Sequence, residues 1–495
     1  MAEFDEDLVS IQEARNLAQL ARIAQDRWAR ATQAEVDRVC AAMAEAGAEA
    51  AERLGALANQ ETGYGVPAHK TLKNLLCSRT LWESIRDVKS VGVIAEDKPR
   101  GLVQIAWPMG VIAALIPSTN PTSTAFFKSM IAVKARNAIV IAPHPTAVRC
   151  TSEAARVMAD AAERAGAPKG LIGCMTHITL PGTNELMKHR AVALILATGG
   201  TAMVRAAHSV GKPAYGVGPG NVPCYIDRSA DLAKAARYLV ASKSFDYSVI
   251  CATEQAAVVD KPVAAEFARC MEAEGAFFVS EAQTEALRRL LFAPDGSINA
   301  QTVGKSPQVL AQMAGFSAPP QARILVARLE KVGPAEPLSR EKLTTVLCWY
   351  EADGWEAGCQ RCIELIRFGG AGHSLAIHAR DERVIMAFGL EKPVHRIVVN
   401  TMSSLGGVGL TTGLPPSMTL GPGGVGGAIT GDNITVRHLF TVKNLAYEIA
   451  APPEAALRSV APAAGPAPAA QSSGAQADVI EQIVRRVLSD LRTQK

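Results

Sequence analysis

The sequence predicts an α/β protein built on parallel sheets, and three apolar runs are the basis of that prediction. Residues 110–117, 138–145 and 194–198 are mainly apolar, and each run leads into a loop rich in Gly, Pro, Ser, Thr or Asn. Continuous rather than alternating apolar runs are typical of parallel strands that are buried on both faces. The apolar content of 48% and the Gly-rich loops are typical of the same class, and 495 residues are enough for two or three substructures with their own cores.

Charge and cysteine content argue against several classes of protein. The net charge is +4 with both signs interspersed, so no stripe of Lys and Arg predicts a nucleic-acid partner. The first ten residues are acidic and no apolar run approaches ~18 residues, so neither a secretory signal nor a membrane span is expected. Ten cysteines without a regular spacing favour a reducing cytoplasm over a disulfide framework. Cys359 and Cys362 form a single CxxC motif in a helical pattern, and the absence of a second pair disfavours a metal site.

Two segments that precede or adjoin the first apolar run lack its continuous apolar pattern. Residues 8–60 are rich in Ala, with apolar residues three or four positions apart, which predicts long helices over a core. Residues 91–111 predict strands around a turn. No residue of the helical segment is expected to take part in chemistry.

Cys251 is a candidate nucleophile because it lies between two predicted elements. It is part of the stretch 242–255, SKSFDYSVICATEQ, after a helical pattern at 231–243 and before a strand pattern at 252–260. A side chain in such a joint is held rigidly and still meets a substrate. A positioned cysteine is a plausible covalent catalyst, because even a small thiolate fraction is strongly nucleophilic. The alternative is a buried, inert cysteine, which is the commoner case.

Further candidates stand where predicted strands meet loops. Asn120 follows the first apolar run, where its amide could donate to a developing oxyanion, although Asn-Pro is also ordinary turn chemistry. Gly199, Gly200 and Thr201 follow the third run and open a helix, an arrangement that lets the backbone approach a pyrophosphate. His373 lies between a Gly-rich turn and a predicted strand, where it could relay protons or serve as a structural hydrogen-bonding group.

Seven motifs occur in a fixed order: IPSTNPTSTAFFKS (116–129), KARNAIVIAPHP (134–145), ATGGTAMVRAAHSVGKPAYGVGPGNVP (197–223), SFDYSVICATEQ (244–255), EKLTTVL (341–347), GGAGHSLAIH (369–378) and TLGPGGVGG (419–427). Together they resemble the aldehyde dehydrogenase family, and in detail its coenzyme A-acylating branch. The resemblance covers most of the chain up to residue 450. It implies an aldehyde dehydrogenase fold, with a Rossmann-like coenzyme-binding domain, an α/β catalytic domain and a small oligomerisation element.

The resemblance also implies roles for individual residues. Asn120 falls on the family's oxyanion-hole asparagine, and Glu341 opens the motif that contacts the nicotinamide ribose, although Thr345 replaces its usual proline. Pro143 and His144 stand where hydrolytic members carry a Lys-Pro pair that holds the adenosine ribose. This departure leaves the choice between NAD and NADP open. The coenzyme site is expected to include four more positions: Gly199, Gly200, Thr201 and Gly218.

The segment 215–221 bears on the fate of the acyl group. Hydrolytic members carry a glutamate there that activates water, and Gly216 stands in its place. A positioned base contributes ~10²–10⁴-fold to the rate, whereas a thiol nucleophile needs less help. The expected reaction therefore oxidises a short-chain aldehyde with NAD(P)⁺ and coenzyme A to acyl-CoA, through a Cys251 thiohemiacetal and thioester. A hydrolytic enzyme that gives the free acid and a non-catalytic scaffold protein are the alternatives.

The carboxyl-terminal composition differs from the rest. Residues 450–477 are rich in Ala, Pro, Gly and Ser, which predicts a flexible linker, and residues 478–495 predict an amphipathic helix. A linker that ends in such a helix resembles the encapsulation peptides that tether enzymes to bacterial microcompartment shells. Packing on the parent domain and lying on a membrane surface are the alternatives.

The resulting expectation is a homodimer or homotetramer in the cytoplasm, inside a microcompartment, with a shell protein or cargo enzyme bound by 478–495. The predicted division is a mainly coenzyme-binding domain (1–235, with an oligomerisation hairpin near 91–105), a catalytic domain (236–432), an oligomerisation segment (433–449), the linker (450–477) and the helix (478–495).

Overall fold

The computed structural model describes residues 5–457 and 481–486. The α-helices are α1 (Glu6–Trp28), α2 (Gln33–Glu49), α3 (Ala51–Thr62), α4 (Pro67–Leu75), α5 (Leu81–Ile85), α6 (Pro121–Lys134), α7 (Val148–Arg164), α8 (Leu180–Lys188), α9 (Thr201–His208), α10 (Leu232–Ser244), α11 (Ala264–Ala273), α12 (Glu281–Leu291), α13 (Pro307–Met313), α14 (Trp355–Gly369), α15 (Glu382–Glu391), α16 (Ser403–Gly406) and α17 (Glu454–Leu457). The strands are β1 (Gly92–Asp97), β2 (Leu102–Pro108), β3 (Val111–Leu115), β4 (Ala138–Ala142), β5 (Ile172–Cys174), β6 (Val192–Thr198), β7 (Ala214–Val217), β8 (Val222–Ile226), β9 (Glu254–Asp260), β10 (Ala276–Phe278), β11 (Ile324–Arg328), β12 (Val346–Ala352), β13 (Leu375–His378), β14 (Ile397–Val399) and β15 (Phe440–Ala446).

The amino-terminal helices are the long helices that the Ala-rich pattern predicts. The Asp5 carboxylate caps α1 by accepting the N–H of Asp7 at 2.9 Å, and a reciprocal capping box between Thr32 and Glu35 begins α2. Helix α1 packs on the first sheet through a stripe of small side chains that are at most 1% exposed: Ala14, Ala18, Ala21 and Ala24. Small side chains at this spacing let the helix lie close to the strands.

The first sheet has five parallel strands in the order β5–β4–β3–β6–β7. Every residue of β3 and β4 is buried, as continuous apolar runs require. The three predicted strands are confirmed as β3, β4 and β6. Their carboxyl ends lie along one edge of the sheet, which is where parallel sheets bind ligands.

The second sheet has seven parallel strands in the order β10–β11–β12–β9–β8–β13–β14. Strand β8 belongs to this sheet, so the predicted domain boundary at residue 235 lies too far along the chain. The chain leaves the first sheet after Val217 and enters the second at Val222. A fully buried apolar strand such as β8 fits either sheet by pattern, and the Gly-Pro-Gly loop at 218–220 marks the crossing.

The chain forms two compact units. The larger consists of residues 5–96 and 104–444, and it contains both parallel sheets. The smaller consists of residues 97–103 and the described residues from 445 onward. Within the smaller unit the N–H of Tyr447 donates to the carbonyl of Gly101 at 2.8 Å. Strands β1, β2 and β15 form a third, three-stranded sheet.

Of the predicted carboxyl-terminal helix, residues 481–486 are described and are helical. Ile483 is 57% exposed and Val484 is 50% exposed. The other residues of the 478–495 prediction, and almost all of the predicted linker, lie outside the described residues. No helix within 5–457 or 481–486 is long and apolar enough to cross a membrane.

The CxxC motif lies on α14 with both thiols buried. The Cys359 thiol contacts the Lys392 ammonium and lies 3.4 Å from a carboxylate oxygen of Glu391. Among the described residues, no group of three or more His, Cys, Asp or Glu side chains is arranged to hold a metal ion.

Candidate active site

A cavity of about 400 Å³ lies where the carboxyl edge of the five-stranded sheet meets the amino edge of the seven-stranded sheet. The loops after β3, β6 and β7 enter it from the first sheet, and the segments before β9 and β12 enter it from the second. Seven of the ten predicted site residues line this one cavity: Asn120, His144, Gly199, Gly200, Gly218, Cys251 and Glu341.

Three predicted site residues do not line the cavity. Pro143 is buried at the end of β4, and Thr201 is exposed at the first position of α9. His373 is 1% exposed, with its Nδ1 atom 3.0 Å from the Ser374 hydroxyl, and its Nε2 atom has no hydrogen-bond partner in the described part of the chain. Burial and the nearby Arg396 charge lower the pKa of His373 to about 3, so this ring is neutral near pH 7. Its part in proton transfer stays a prediction.

Cys251 lies between α10 and β9, as predicted, and its side chain is partly exposed to the cavity. Burial and then the negative charge of Glu341 raise the pKa of the Cys251 thiol to about 12, and the opposing charge of Arg396 does not compensate. The resting side chain is therefore a neutral thiol. The backbone around it is tight, since a Cβ atom on Gly220 would lie 2.4 Å from the Cys251 carbonyl oxygen.

The turn that precedes Cys251 has an unusual backbone. Asp246, Tyr247 and Ser248 have φ values of 47°, 50° and 68°, three consecutive left-handed residues without a glycine. Each such residue costs about 1–2 kcal/mol, although Asp tolerates the conformation better than most. The Ser248 hydroxyl accepts a hydrogen bond from Lys243 at 3.0 Å, which holds one end of the turn.

The other end of this turn is held by the amino-terminal helix α4. The fully buried Asp246 carboxylate forms ion pairs with Lys73 and, at 3.3 Å, with Lys70, and it accepts the N–H of Val66 at 2.6 Å. Burial alone would raise the pKa of Asp246, but the two ammonium groups outweigh that effect and hold its pKa below the ordinary value. Asp246 is therefore a charged, fully paired group in the interior.

Asn120 connects this cluster to the cavity. Its Oδ1 atom accepts a hydrogen bond from Lys73, and its Nδ2 atom donates to the Val249 carbonyl at 3.0 Å and to the Thr119 hydroxyl at 3.1 Å. Thr119 and Val249, which accept from Nδ2, both line the cavity, whereas Lys73 does not, so the nitrogen lies on the cavity side of the amide. This is the polarity that an oxyanion site requires.

Glu341 is the only carboxylate that lines the cavity within the described part of the chain. One of its oxygens accepts the N–H of Gly220 at 3.0 Å, and burial raises the pKa of Glu341 to about 7 despite that bond. The group is thus balanced between its acid and its carboxylate form near neutral pH.

Gly216 is buried in β7, and a Cβ atom there would lie 2.5 Å from His208 Nε2 and 2.7 Å from Val204 Cγ1. A side chain at this position would therefore be directed at α9. The wall of the cavity is formed by the next three residues, Val217, Gly218 and Pro219, none of which carries a carboxylate. The structure differs from the prediction in one respect, because the positions of this segment that face the cavity do not include residue 216.

Sequence reasoning missed the Lys70–Lys73–Asp246 cluster and the apolar part of the lining. Asp246 stands five residues before Cys251, but no spacing in the sequence connects it with lysines 173 and 176 positions away. The two lysines lie three positions apart on α4, a pattern that is ordinarily typical of an exposed helix face. The missed apolar lining includes Met203, Ile250, Leu343, Val408 and Met418.

The raised pKa of Cys251 predicts how the thiol reacts in the free protein. We expect iodoacetamide to alkylate Cys251 slowly at pH 7 and about tenfold faster for each pH unit up to pH 9, because the thiolate fraction of a thiol with a pKa of about 12 rises in that proportion. The measurement is the modified fraction of the Cys251 peptide against time, by mass spectrometry. The partly exposed Cys270 serves as an internal reference, and a Cys251 rate that levels off between pH 7 and 8 would contradict the expectation.

Comparison with known proteins agrees with this geometry. Residues 8–277 match the model of the aldehyde dehydrogenase family. Aldehyde-alcohol dehydrogenase 2 of Entamoeba histolytica is 40% identical over 424 residues, which are 84% of this chain and 49% of that protein. The chain therefore spans about half the length of such curated relatives.

Two solved structures share the fold. An acetylating aldehyde dehydrogenase from Geobacillus thermoglucosidasius has 49% identity and a TM-score of 0.90, over 91% of this chain and 100% of that one. A propionaldehyde dehydrogenase from the fucose utilisation bacterial microcompartment of Clostridium phytofermentans has 26% identity and a TM-score of 0.80, over 88% of this chain and 97% of that one. The aldehyde dehydrogenase fold that the motifs predict is confirmed, and the chain belongs to the aldehyde dehydrogenase family.

Proposed function

We propose that the protein oxidises a short-chain aldehyde to acyl-CoA, with NAD(P)⁺ as the oxidant. The observation that carries the proposal is that Cys251 and the donor side of Asn120 meet in one cavity, next to a glycine turn that suits a dinucleotide. The balanced reaction is aldehyde + CoA–SH + NAD(P)⁺ to acyl-CoA + NAD(P)H + H⁺. The similarity to an acetylating aldehyde dehydrogenase supports the same chemistry.

The residues present fit a bound dinucleotide. Gly200 precedes α9 at the carboxyl end of β6, and a Cβ atom on Gly200 or Gly218 would meet no atom within 4 Å, so both positions border open space. A glycine turn at a helix amino terminus favours a pyrophosphate. His144 and Glu341 line the same cavity and would contact the riboses. Bound NAD(P)⁺ supplies the hydride acceptor, and the preference between NAD and NADP stays open.

The chain's own residues perform the covalent steps. The Cys251 thiol releases its proton to solvent as its sulfur adds to the aldehyde carbon, and the oxygen becomes an oxyanion that receives hydrogen bonds from Asn120 Nδ2 and the backbone N–H of Cys251. Loss of hydride from the same carbon restores the carbonyl as a thioester. The thiol of coenzyme A then displaces the Cys251 sulfur and carries away the acyl group.

Hydrolysis is the second candidate, because Glu341 lies in the cavity with a pKa of about 7, which is suitable for a general base. Its bond to the Gly220 N–H opposes that role, because a hydrogen bond to the carboxylate lowers the pKa of Glu341 and so weakens it as a base. A thiol attacks a thioester without such a base, and acyl transfer to coenzyme A is therefore the favoured outcome.

The lining favours an uncharged aldehyde. It contains no Lys or Arg among the described residues, and most of its other side chains are apolar. An anionic aldehyde would enter without a cationic partner and would meet the Glu341 carboxylate. Burial of an unpaired charge costs several kcal/mol, so neutral aldehydes should bind better.

Assembly and location are also proposals. Val93, Trp107 and Val442 are apolar side chains on the three-stranded sheet, and each is more than 40% exposed. Exposed apolar groups on a small sheet indicate an interface, in line with the proposed homodimer or homotetramer. The proposed cytoplasmic microcompartment location rests on the carboxyl-terminal linker and helix, and the similarity to a microcompartment propionaldehyde dehydrogenase supports it.

With acetaldehyde or propionaldehyde and NAD⁺ but without coenzyme A, we expect a burst of about one NADH per site followed by a stall, because the thioester has no efficient acceptor. Stopped-flow absorbance measures the burst, and addition of coenzyme A should start steady turnover. Cys251→Ala is the control and should give no burst. Steady formation of free acid at the coenzyme A-dependent rate would show that water is activated in the site.

The matched pair butyraldehyde and succinic semialdehyde tests the preference for neutral aldehydes, because the two share a four-carbon chain and differ in a carboxylate. We expect kcat/KM for the anion to be lower by about 10²-fold, since each tenfold corresponds to ~1.4 kcal/mol of lost binding. Equal values for the two aldehydes would mean that a cation outside the described lining pairs with the carboxylate.

A fluorescent reporter fused to residues 450–495 tests the tail. We expect the fusion to move to microcompartment shells and the Ile483→Glu, Leu488→Glu variant to stay diffuse, because the apolar stripe of an amphipathic helix docks in a groove. Arg485→Ser on the polar face is the matched control, since it removes only an exposed ion pair with Glu481. A diffuse reporter, together with an enzyme that reaches shells after the tail is removed, would contradict this role.

A further inference from the structure

We propose that Lys73 is a positioning residue of this site: it fixes the orientation of the Asn120 amide, so that Nδ2 and not Oδ1 faces the developing oxyanion. The proposal rests on the proposed function, because it assigns a role within that oxyanion site. Lys73 comes from the amino-terminal helix α4, far from the motifs that carry the catalytic residues.

The contacts of the amide show why it needs such a partner. The oxygen and nitrogen of an Asn side chain have nearly the same size, so packing alone does not decide which of them faces a given direction. Lys73 can only donate, and its bond to Asn120 therefore requires the amide oxygen on its side. The nitrogen then points toward the Val249 carbonyl and the Thr119 hydroxyl. In the flipped amide the oxygen would face the oxyanion and repel it.

The ammonium also strengthens the donor. A hydrogen bond from a charged group is roughly twice as strong as a neutral one, and it polarises the amide, so that the Nδ2 hydrogens become better donors. Both hydrogens have acceptors in the resting protein, and the oxyanion must replace one of them. The Thr119 hydroxyl is the partner that is easier to displace, because a side-chain hydroxyl can rotate away, whereas the Val249 carbonyl is fixed in the backbone.

Asp246 keeps Lys73 charged and in place. Lys73 is 2% exposed, and burial lowers its pKa to about 8, so the opposing attraction of Asp246 is what leaves most of the group protonated at pH 7. Lys73 does not line the cavity, and it cannot touch the substrate from its position. It therefore acts through Asn120, and it is a positioning residue rather than a catalytic one.

The central variant is Lys73→Met, which keeps the length of the side chain and removes its donor. We expect the rate of the NADH burst with acetaldehyde and NAD⁺ to fall by about 10²-fold, the loss that is typical when an oxyanion-hole donor is removed. The rate of iodoacetamide alkylation at Cys251 and the Kd for NAD⁺ should each stay within about threefold, because neither depends on an oxyanion. Equal losses in all three measurements would mean that the variant disturbs the whole site, which would overturn the proposal.

A double-mutant cycle shows whether Lys73 acts through Asn120. Asn120→Ala should lower the burst rate by a similar factor, and the Lys73→Met, Asn120→Ala protein should be no slower than Asn120→Ala alone. If the two losses multiply, Lys73 works by another route and the proposal is wrong.

Lys70→Met is the matched control. Lys70 also pairs with Asp246, and it donates to the Thr119 carbonyl, but it has no bond to Asn120. We expect its burst rate to stay within about fivefold of the wild type, and a loss equal to that of Lys73→Met would overturn the proposal.

A second variant is the control for poor folding of the Lys73→Met protein. Removal of one partner from a buried ion pair is strongly destabilising, so Lys70→Met and Lys73→Met with Asp246→Asn, which leaves no unpaired charge in the cluster, provides a folded background. This variant also lacks the group that donates a hydrogen bond to Asn120. It should therefore show the same loss of burst rate, with the rate of Cys251 alkylation unchanged. A wild-type burst rate in this variant would contradict the proposal.

The burst also separates this proposal from the proposed function. It occurs before the acyl group leaves Cys251, so a wild type that releases free acid would contradict the coenzyme A reaction and leave the Lys73 comparison intact. If the losses of burst rate multiply in the double-mutant cycle, the role of Lys73 is wrong, whereas the proposed coenzyme A reaction is unaffected.

Discussion

The buried ion pair between Asp246 and Lys73 is the interaction on which the rest of the site depends. Asp246 is the first of three consecutive left-handed residues, and each of these costs about 1–2 kcal/mol. Strain of this kind persists only where surrounding contacts over-determine the backbone, and it is concentrated at functional sites. The carboxylate, fully buried, in turn needs its ammonium partners, because a single unpaired charge in the interior costs several kcal/mol. The backbone geometry around Cys251 and the packing of α4 therefore depend on each other through this ion pair.

Burial also determines the electrostatics of the cavity. It raises the pKa of Cys251 to about 12 and that of Glu341 to about 7, so near pH 7 the thiol is neutral and the Glu341 carboxyl group is balanced between its acid and carboxylate forms. A neutral thiol is a poor nucleophile toward chance electrophiles, whereas the donors around Asn120 are already in place before any reaction begins. For the proposed reaction, the site thus combines a neutral resting thiol with an amide donor, Asn120 Nδ2, that is oriented before the charge forms.

Buried strands and the residues that follow them were predictable, since a run such as 110–117 has only one stable environment and places Asn120 at the edge of a sheet. The position of Cys251 in a joint was also predictable, because a helical pattern precedes it and a strand pattern follows it. The domain boundary was misplaced because β8 is apolar throughout and fits either sheet. The Lys73–Asp246 pair could not be predicted, because it joins positions 173 residues apart and depends on the tertiary approach of α4 to the turn.

The structure changes the reason for expecting acyl transfer rather than hydrolysis. A side chain at residue 216 would be directed at α9, so the missing glutamate matters less than the composition of the whole wall. That wall offers Val217, Gly218 and Pro219, and the one carboxylate of the described lining, Glu341, is held by the Gly220 N–H. Water needs a base at the thioester carbon, and the Gly220 N–H bond stabilises the Glu341 carboxylate and so weakens it as a base. A thiol meets no such requirement, and the same wall that lacks a free base leaves open space beside Gly200 and Gly218 through which it can approach.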